Sequence, residues 1–185
     1  MKFFVPIFAC LVGLVPTAYF GGSSAVGQST LPGSAGVPTA DSVGLSAATA
    51  SFLRTAASAN LFEIESSRLA LTRSQSERVK DFANRMVADH TRAAIRLKQA
   101  LTEAAATMPP EMLDDKHQQQ LESLKAAGNA EFDKAYVEAQ YKAHIESISL
   151  ATDYAKNGDN PRLRELVAQV VPILQSHLDH ASTMR

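Results

Sequence analysis

Three histidines have the residue type and the spacing for metal chemistry. His90, His144 and His177 each fall on the apolar stripe of a different predicted helix. A buried imidazole must be hydrogen-bonded or bind something, because a buried polar group without a partner is unfavourable. First-row divalent ions accept neutral imidazole nitrogen and carboxylate oxygen together. The predicted metal ligands are therefore His90, His144, His177 and Glu63, and the predicted cofactor is one transition-metal ion.

Two acidic residues are candidates for a supporting role around these ligands. Asp89 and Asp133 can accept a hydrogen bond from an imidazole and thereby fix its tautomer. The alternative interpretation is structural, with each histidine satisfied by a polar neighbour. The candidate neighbours are Tyr136, Tyr141, Asn60 and Gln140. A third hypothesis is an acid sensor, since burial and partners move the pKa of histidine across physiological pH. His117 and His180 are expected to be exposed and to have no role.

Apolar residues recur with a period near 3.6 from residue 46 onward and predict an all-α domain. Long helices are predicted over about 48–72, from Ser74 to the pair Pro109–Pro110, over about 129–156 and over about 161–181. A short helix over about 111–127 precedes Gly128, which is expected to end it. Four long amphipathic helices, two tight hairpins and one long middle connection predict a four-helix bundle.

Helix rise places the candidate ligands along the bundle axis in two alternative topologies. At ~1.5 Å per residue, Glu63 lies ~15 Å and His90 ~25 Å from the turn near residue 73, so these two are expected at different levels. If both hairpin turns lie at one end of the bundle, the three histidines share a layer. If residues 107–128 instead cross the bundle lengthwise, His90 and His144 share a layer and Glu63 meets His177. Both topologies predict a polar cluster near mid-bundle.

Composition and motifs exclude several classes of function. The 185-residue chain is 45% hydrophobic and 6% aromatic with no Trp, which is typical of one helical domain with an appendage. A formal net charge of -1 argues against a nucleic-acid-binding protein. The sequence has no GxSxG, no phosphate-binding glycine loop and no HExxH, so no catalytic residue is predicted and an enzyme is not favoured. Peripheral association with the envelope or a membrane, and a homodimer, are the expected alternatives for partners.

The first residues have the pattern of a secretory signal peptide. Lys2 is followed by an apolar run from Phe3 to Val15 and then by small residues, which predicts a signal peptide over 1–20 with cleavage between 18 and 25. A retained membrane anchor is the disfavoured alternative, because the run is shorter than the roughly 20 apolar residues that span a bilayer. Residues 21–45, rich in Gly, Ser, Ala and Pro, predict a flexible linker. The expected location of the domain over 46–185 is the periplasm or cell envelope.

Four segments of the chain resemble the successive motifs of the domain-of-unknown-function family DUF4142, whose members are often labelled predicted outer membrane proteins. The segments are FLRTAASANLFEIESSRLAL, VKDFANRMVADHTRA, EFDKAYVEAQYKAHIES and VPILQSHLDHA, and together they span about 48–183. The resemblance implies a ferritin-like helical bundle, exported by bacteria, with no settled activity. The recurrent polar positions of the family correspond here to Glu63, Asp89, His90, Asp133, His144 and His177.

The resemblance to true di-iron ferritins is weaker. Those proteins use Glu-x-x-His pairs on two of their helices, whereas the residues three positions before the candidate histidines are Val87, Tyr141 and Leu174. A mononuclear, nitrogen-rich site is therefore favoured over a two-iron centre. The sequence thus predicts an exported ferritin-like bundle of unknown molecular function that binds a transition metal through a core His/Glu cluster. The alternative is a non-catalytic envelope-stress or partner-binding bundle with structural core histidines.

Overall fold

The computed structural model describes residues 44–185, and every regular element in that range is an α-helix. The helices are α1 Ala47–Arg73, α2 Glu77–Glu103, α3 Asp115–Ala126, α4 Asn129–Asn157 and α5 Pro161–Ser182. The predicted all-α bundle, with a short extra helix between the second and third long helices, is confirmed. The predicted signal peptide, and the predicted linker up to residue 43, lie outside the described residues. None of the described helices is long and apolar enough to cross a membrane.

Helix α2 ends before the proline pair that was expected to end it. Its last helical residue is Glu103, and Ala105 then adopts a positive φ of 53°. The backbone N–H of Ala106 donates to the carbonyl of Leu101, and that of Ala105 donates to Thr102. This pair of bonds is a Schellman motif, which ends a helix through local backbone geometry without a proline.

Helix α3 carries the chain back along the bundle, so that α4 begins beside the α1–α2 turn. The Arg73 guanidinium at the end of α1 donates to the Ala127 carbonyl and to the Asn129 side chain. Helix α5 finishes at the same end, where Arg78 donates to the carbonyl and hydroxyl of Thr183. The middle connection therefore crosses the bundle lengthwise, as in the second of the two predicted topologies.

The buried apolar residues form two clusters, one toward each end of the bundle. The aromatic half, near the α1–α2 turn, is built around Phe62, Phe82, Phe132 and Tyr136, all at most 1% exposed. The open half, near the α4–α5 turn, is built around Leu53, Leu101, Tyr154, Leu163, Val167 and Leu174. On each of the four long helices, the polar residue predicted to face the core lies between members of the two clusters. The fold therefore sets a polar layer between two apolar halves.

Candidate metal centre

The structure brings three of the predicted ligands together in this polar layer. His90, His144 and His177 are each at most 5% exposed. One nitrogen of each imidazole lies within 4.8 Å of one nitrogen of each of the other two rings. The ring centroids are 5.3 to 5.7 Å apart. Three residues from three different helices, separated by up to 87 positions in the chain, thus form one compact cluster.

His144 and His177 face each other through nitrogens that both lack a hydrogen. The Nδ1–H of His144 donates to the Gln140 carbonyl at 2.8 Å, and the Nε2–H of His177 donates to Asp89 Oδ2 at 2.9 Å. A carbonyl or a carboxylate accepts but does not donate, so these contacts fix both tautomers. His144 Nε2 and His177 Nδ1 are consequently two lone-pair acceptors, and they lie 3.3 Å apart. When both rings are neutral, these lone pairs repel each other, and a proton or a metal cation bound between the two nitrogens would relieve that repulsion.

His90 presents a third free nitrogen to the same cluster. Its Nδ1 lies 3.1 Å from Asn60 Oδ1, which can accept the ring N–H. Its Nε2 is buried and has no hydrogen-bond partner within residues 44–185. Leaving a buried nitrogen of this kind unpaired is unfavourable, so a water molecule or a metal ion bound there would be stabilising. All three imidazoles therefore have one nitrogen held by a protein acceptor and one nitrogen left free.

Burial keeps these imidazoles in the form that binds metal. Desolvation lowers the pKa of His144 to about 4, and it lowers the pKa of His90 well below its ordinary value, aided by the neighbouring rings. Burial also lowers the pKa of His177, although the Asp89 carboxylate opposes that shift. Neutral imidazole is the ligand form of histidine, because a protonated nitrogen has no lone pair to donate.

Glu63 lies behind the cluster rather than among the converging nitrogens. Its Oε2 is 3.1 Å from His90 Nδ1 and its Oε1 is 3.6 Å from His144 Nδ1, which are the outer nitrogens of both rings. The carboxyl group is 2% exposed, and this burial raises its pKa to about 8. Glu63 was predicted to meet His177, but it contacts His90 and His144. Its Oε1 has no hydrogen-bond partner among residues 44–185, so the hydrogen bonds that hold the two outer nitrogens come from Asn60 and Gln140.

The helix directions explain why Glu63 and His90 meet although they were expected at different levels. The ~25 Å estimate for His90 counted the turn as helix; measured from the ends of α1 and α2, Glu63 lies ~15 Å and His90 ~20 Å away. Helical side chains also tilt toward the N-terminus of their own helix. Glu63 on α1 therefore tilts away from the α1–α2 turn, and His90 on α2 tilts toward it. The two tilts close the remaining gap.

The two predicted supporting carboxylates lie in different places. Asp89 accepts from His177 through Oδ2 and pairs with Arg92 through Oδ1, so it takes the predicted role toward one imidazole. Asp133 is half-buried near the start of α4, eleven residues and therefore ~16 Å of helix before His144. No hydrogen bond or ion pair within the described part of the chain joins Asp133 to a histidine.

Two predicted exposures are wrong. His117 is 4% exposed, and its Nδ1 lies 2.7 Å from Ser58 Oγ while its ring stacks on Phe62. His180 is half-buried and packs its ring against Phe82 at 5.1 Å between centroids. His117 follows the N-cap of α3, where the surface that buries it comes from α1. Nothing in the local sequence pattern signals that contact.

Of the four polar neighbours predicted under the structural interpretation, two hold an imidazole in place. Asn60 accepts from His90, and Gln140 accepts from His144 through its backbone carbonyl rather than its side chain. The Tyr136 hydroxyl bonds to Ser67, and the Tyr141 ring packs under the Arg185 guanidinium. These contacts satisfy only the outer nitrogens of the histidines, so they do not replace a ligand at the inner ones.

Fold and site together define a helical bundle with a buried three-histidine cluster at its centre. The chain belongs to the DUF4142 family, a domain of unknown function, whose family profile matches residues 35–184. The resemblance seen in the sequence motifs is thereby confirmed.

Two solved structures share this architecture. The structure of CopM in the Cu(I)-bound form is similar with a TM-score of 0.60 and 17% sequence identity, over 72% of this chain and 92% of that chain. A DUF305 fragment from Deinococcus radiodurans is similar with a TM-score of 0.65 and 10% identity, over 75% of this chain and 95% of that chain. At these identities the likeness shows the fold alone. No curated protein matches the chain.

Proposed function

We propose that this protein binds one transition-metal ion through His90 Nε2, His144 Nε2 and His177 Nδ1. The observation that carries the proposal is the pair of lone-pair nitrogens of His144 and His177, 3.3 Å apart, with both outer nitrogens held by protein acceptors. A metal ion converts this repulsion into two bonds. The unpartnered Nε2 of His90 supplies the third.

The spacing of the nitrogens suits a first-row metal ion. Metal–imidazole bonds of ~2.0–2.1 Å in tetrahedral geometry place two ligand nitrogens ~3.3–3.4 Å apart. The His144–His177 separation of 3.3 Å lies at that value. Imidazole suits copper and zinc among the first-row metals. These two nitrogens are therefore spaced as ligands of such an ion, and one nitrogen of His90 lies within 4.8 Å of a nitrogen of each of the other two rings.

Charge favours Cu(I) as the first ion to test. The three imidazoles are neutral, and burial raises the pKa of Glu63 to about 8, while the other carboxylate in contact with the cluster, Asp89, is already paired with Arg92. A single positive charge is less costly to bury in such a site than two. The similarity of the fold to a protein solved with Cu(I) bound supports the same choice. Zn(II) and Cu(II) are the comparison ions.

Three contacts would orient the ligands in this site. Gln140 O and Asp89 hold the tautomers of His144 and His177, and Asn60 accepts from His90. Partners of this kind set both the orientation and the basicity of metal-bound imidazoles. In this proposal the bundle acts as a binding protein for the ion, held between its two apolar halves.

We further propose that binding takes place outside the cytoplasm. The pattern of residues 1–20 supports export, and the only cysteine of the chain, Cys10, lies within that segment. A ligand set of imidazoles needs no thiolate and is therefore not lost to disulfide formation in an oxidising compartment. Fractionation of cells that produce the full chain, with N-terminal sequencing of the product, tests this proposal.

The metal proposal is tested by elemental mass spectrometry of the purified protein after incubation with Cu(I), Cu(II) or Zn(II) and removal of unbound ions. We expect close to one equivalent of one metal in the wild type and at least a tenfold loss of affinity in His144→Gln. The matched control is His180→Gln, which removes a histidine of α5 that lies outside the cluster and should leave the stoichiometry unchanged. A folded wild-type protein that retains no metal would overturn the proposal.

A further inference from the structure

A large apolar cavity adjoins the histidine cluster on the side of the open half. Its volume is about 420 Å³, and α1, α2, α4 and α5 all contribute to its lining. Cavities of about 300–1,000 Å³ with mostly apolar walls and a few polar groups are typical of small-molecule sites. This one has Glu63, His90 and His177 at one end and Leu166, Met108 and Phe52 among its other lining residues.

Alanines explain why the four helices leave this space. Six of them line the cavity: Ala56, Ala57 and Ala59 on α1, Ala93 and Ala94 on α2, and Ala151 on α4. Protein interiors are normally packed to the density of organic crystals, and side chains this short cannot fill the gap between helices. Several of the larger lining residues are also aliphatic, such as Ile64, Leu97 and Val170. The cavity is therefore shaped for hydrocarbon.

The mouth of the cavity lies between α2 and α5. The lining residues that are exposed to solvent include Arg92 and Arg96 on α2, and Gln169 and Ile173 on α5. Arg92 pairs with Asp89, whereas no carboxylate among residues 44–185 pairs with Arg96. Arg96 therefore offers a free guanidinium at the rim, and its planar array of donors matches a carboxylate.

The distance from Arg96 to the histidine cluster limits the size of the ligand. From His90 to Arg96 the wall of α2 spans six residue steps, or ~9 Å of helix axis. An extended backbone advances ~3.3–3.6 Å per residue, hence roughly 1.2 Å per bond, so ~9 Å corresponds to about eight carbons. At the end near the cluster a methyl group would meet Glu63, His90 and His177, where further apolar contact ends.

We propose that the cavity binds a fatty acid of about eight to ten carbons, with its chain between α2 and α5 and its carboxylate on Arg96. The proposal goes beyond metal binding and does not depend on it. The chain occupies space that the alanines leave, and the carboxylate stays at the solvent-exposed rim, so that no charge is buried. Of the two acidic lining residues besides Glu63, Asp89 pairs with Arg92, and Glu111 lies on the α2–α3 connection.

The test is isothermal titration of the full chain with saturated fatty acids of four to fourteen carbons, in the presence of a metal chelator. Each added methylene should raise the affinity about fourfold, which corresponds to about 0.8 kcal/mol, up to about eight to ten carbons, after which the affinity should level off. The His144→Gln variant should bind the same fatty acids with unchanged affinity. Failure of the metal proposal therefore leaves this proposal standing, and the reverse also holds.

Two matched variants test the headgroup. Arg96→Gln should weaken the binding of octanoate severalfold at low salt and leave that of octanol unaffected, because only the carboxylate meets the guanidinium. Lys98→Gln removes an exposed cation of the same helix that does not line the cavity, and it should change the binding of neither ligand. Equal losses in both variants, or tighter binding of octylamine than of octanoate, would overturn the assignment of the headgroup to Arg96.

A third variant tests the position of the chain. Ala93→Leu fills the cavity from the wall of α2 and should reduce the affinity for octanoate at least tenfold in a protein that thermal melting shows to be folded. Affinity that is independent of chain length, or unchanged binding in the folded Ala93→Leu variant, would overturn the proposal.

Discussion

The two halves of this bundle are built from the same four long helices and differ in how their side chains fill the space between them. In the aromatic half, Phe62, Phe82, Phe132 and Tyr136 interlock, with Phe132 and Tyr136 stacked and Phe82 edge-on to Tyr136. In the open half, alanines face one another and leave a cavity of about 420 Å³. The histidine cluster lies where these two kinds of packing meet. One neighbour of the cluster is a well-packed core, and the other is open space.

This difference indicates that one half of the bundle mainly stabilises the fold and that the other provides space for a ligand. The aromatic half supplies contacts that hold the helices in register, because large rings bury much apolar area and prefer defined geometries. The open half gives up part of that stabilisation and provides space for a ligand. Helices α2 and α5 are less closely packed than either hairpin, and the mouth of the cavity lies between them. The packed core that stabilises the fold and the cavity that opens to solvent thus lie toward opposite ends of the bundle.

The largest expected effect is a difference between the two halves in how much a truncated side chain lowers the free energy of unfolding. Phe82→Ala removes a fully buried ring from the aromatic half and should lower the free energy of unfolding by about 3–5 kcal/mol. Leu97→Ala, which trims a partly buried wall of the cavity, should lower it by less than about 2 kcal/mol, since that side chain already lacks neighbours on one side. Urea unfolding of both variants measures the two values. Equal losses in the free energy of unfolding would contradict this difference between the two halves.

The next effect concerns the layer between the halves and its dependence on pH. Burial raises the pKa of Glu63 from its ordinary 4.5 to about 8, so the folded protein holds a proton that the unfolded chain releases at neutral pH. The free energy of unfolding of the metal-free protein should therefore fall as the pH rises toward 8, by roughly 1–2 kcal/mol between pH 6.5 and 8.5. The histidines that face Glu63, His90 and His144, have lowered pKa values and add to stability above pH 6.5, a contribution that is lost on acidification.

Glu63→Gln should flatten this fall above pH 6.5, because the amide does not titrate. Glu65→Gln, on the half-exposed side of the same helix, is the matched control and should retain it. Urea unfolding at the two pH values measures the difference. A flat profile in the wild-type protein between pH 6.5 and 8.5 would show that Glu63 is ionised in the fold. A flat profile between pH 5 and 8 would count against an acid-sensing role for the cluster.

The smallest effect is a gain in stability in the open half. Ala93→Leu places an aliphatic side chain in the cavity and should raise the free energy of unfolding by about 0.5–1 kcal/mol in the ligand-free protein. Ala83→Leu is the comparison, because Ala83 is fully buried in the aromatic half, where overpacking should be destabilising by about 1–3 kcal/mol. A higher melting temperature for Ala93→Leu and a lower one for Ala83→Leu would show that the aromatic half is filled and the open half is not. A loss in both variants would refute it.

Most of the fold could be predicted from the helical periodicity of the apolar residues and from the residues that begin or end helices. The boundaries of α1, α4 and α5 lie within one residue of the predicted ones, since Ser46, Gly128 and Asn160 mark helix ends in the sequence itself. The end of α2 could not be predicted, because the Schellman motif at Ala105 uses a positive φ at a residue that rarely adopts it. Pro109 and Pro110, which were predicted to end α2, lie in the connection beyond it.

The sequence was sufficient to predict which histidines form the polar cluster, but not which contacts they make. A histidine on an apolar stripe predicts burial, and His90, His144 and His177 are buried. Which nitrogen of each ring is free depends on Asn60, Gln140 and Asp89, whose positions follow from how the helices pack. The burial of His117 depends on the surface of α1, which contributes Ser58 and Phe62.

The sequence by itself determined the elements of this protein: which residues are helical, which face of each helix is apolar, and which polar residues interrupt those faces. These properties are local, since they follow from the backbone preferences and the 3.6-residue period of single segments. Only the tertiary structure decided that the middle connection crosses the bundle, that Glu63 meets His90, and that six alanines face a shared cavity. Each of these depends on the relative position of helices that are distant in the chain, and packing across the whole bundle sets that position.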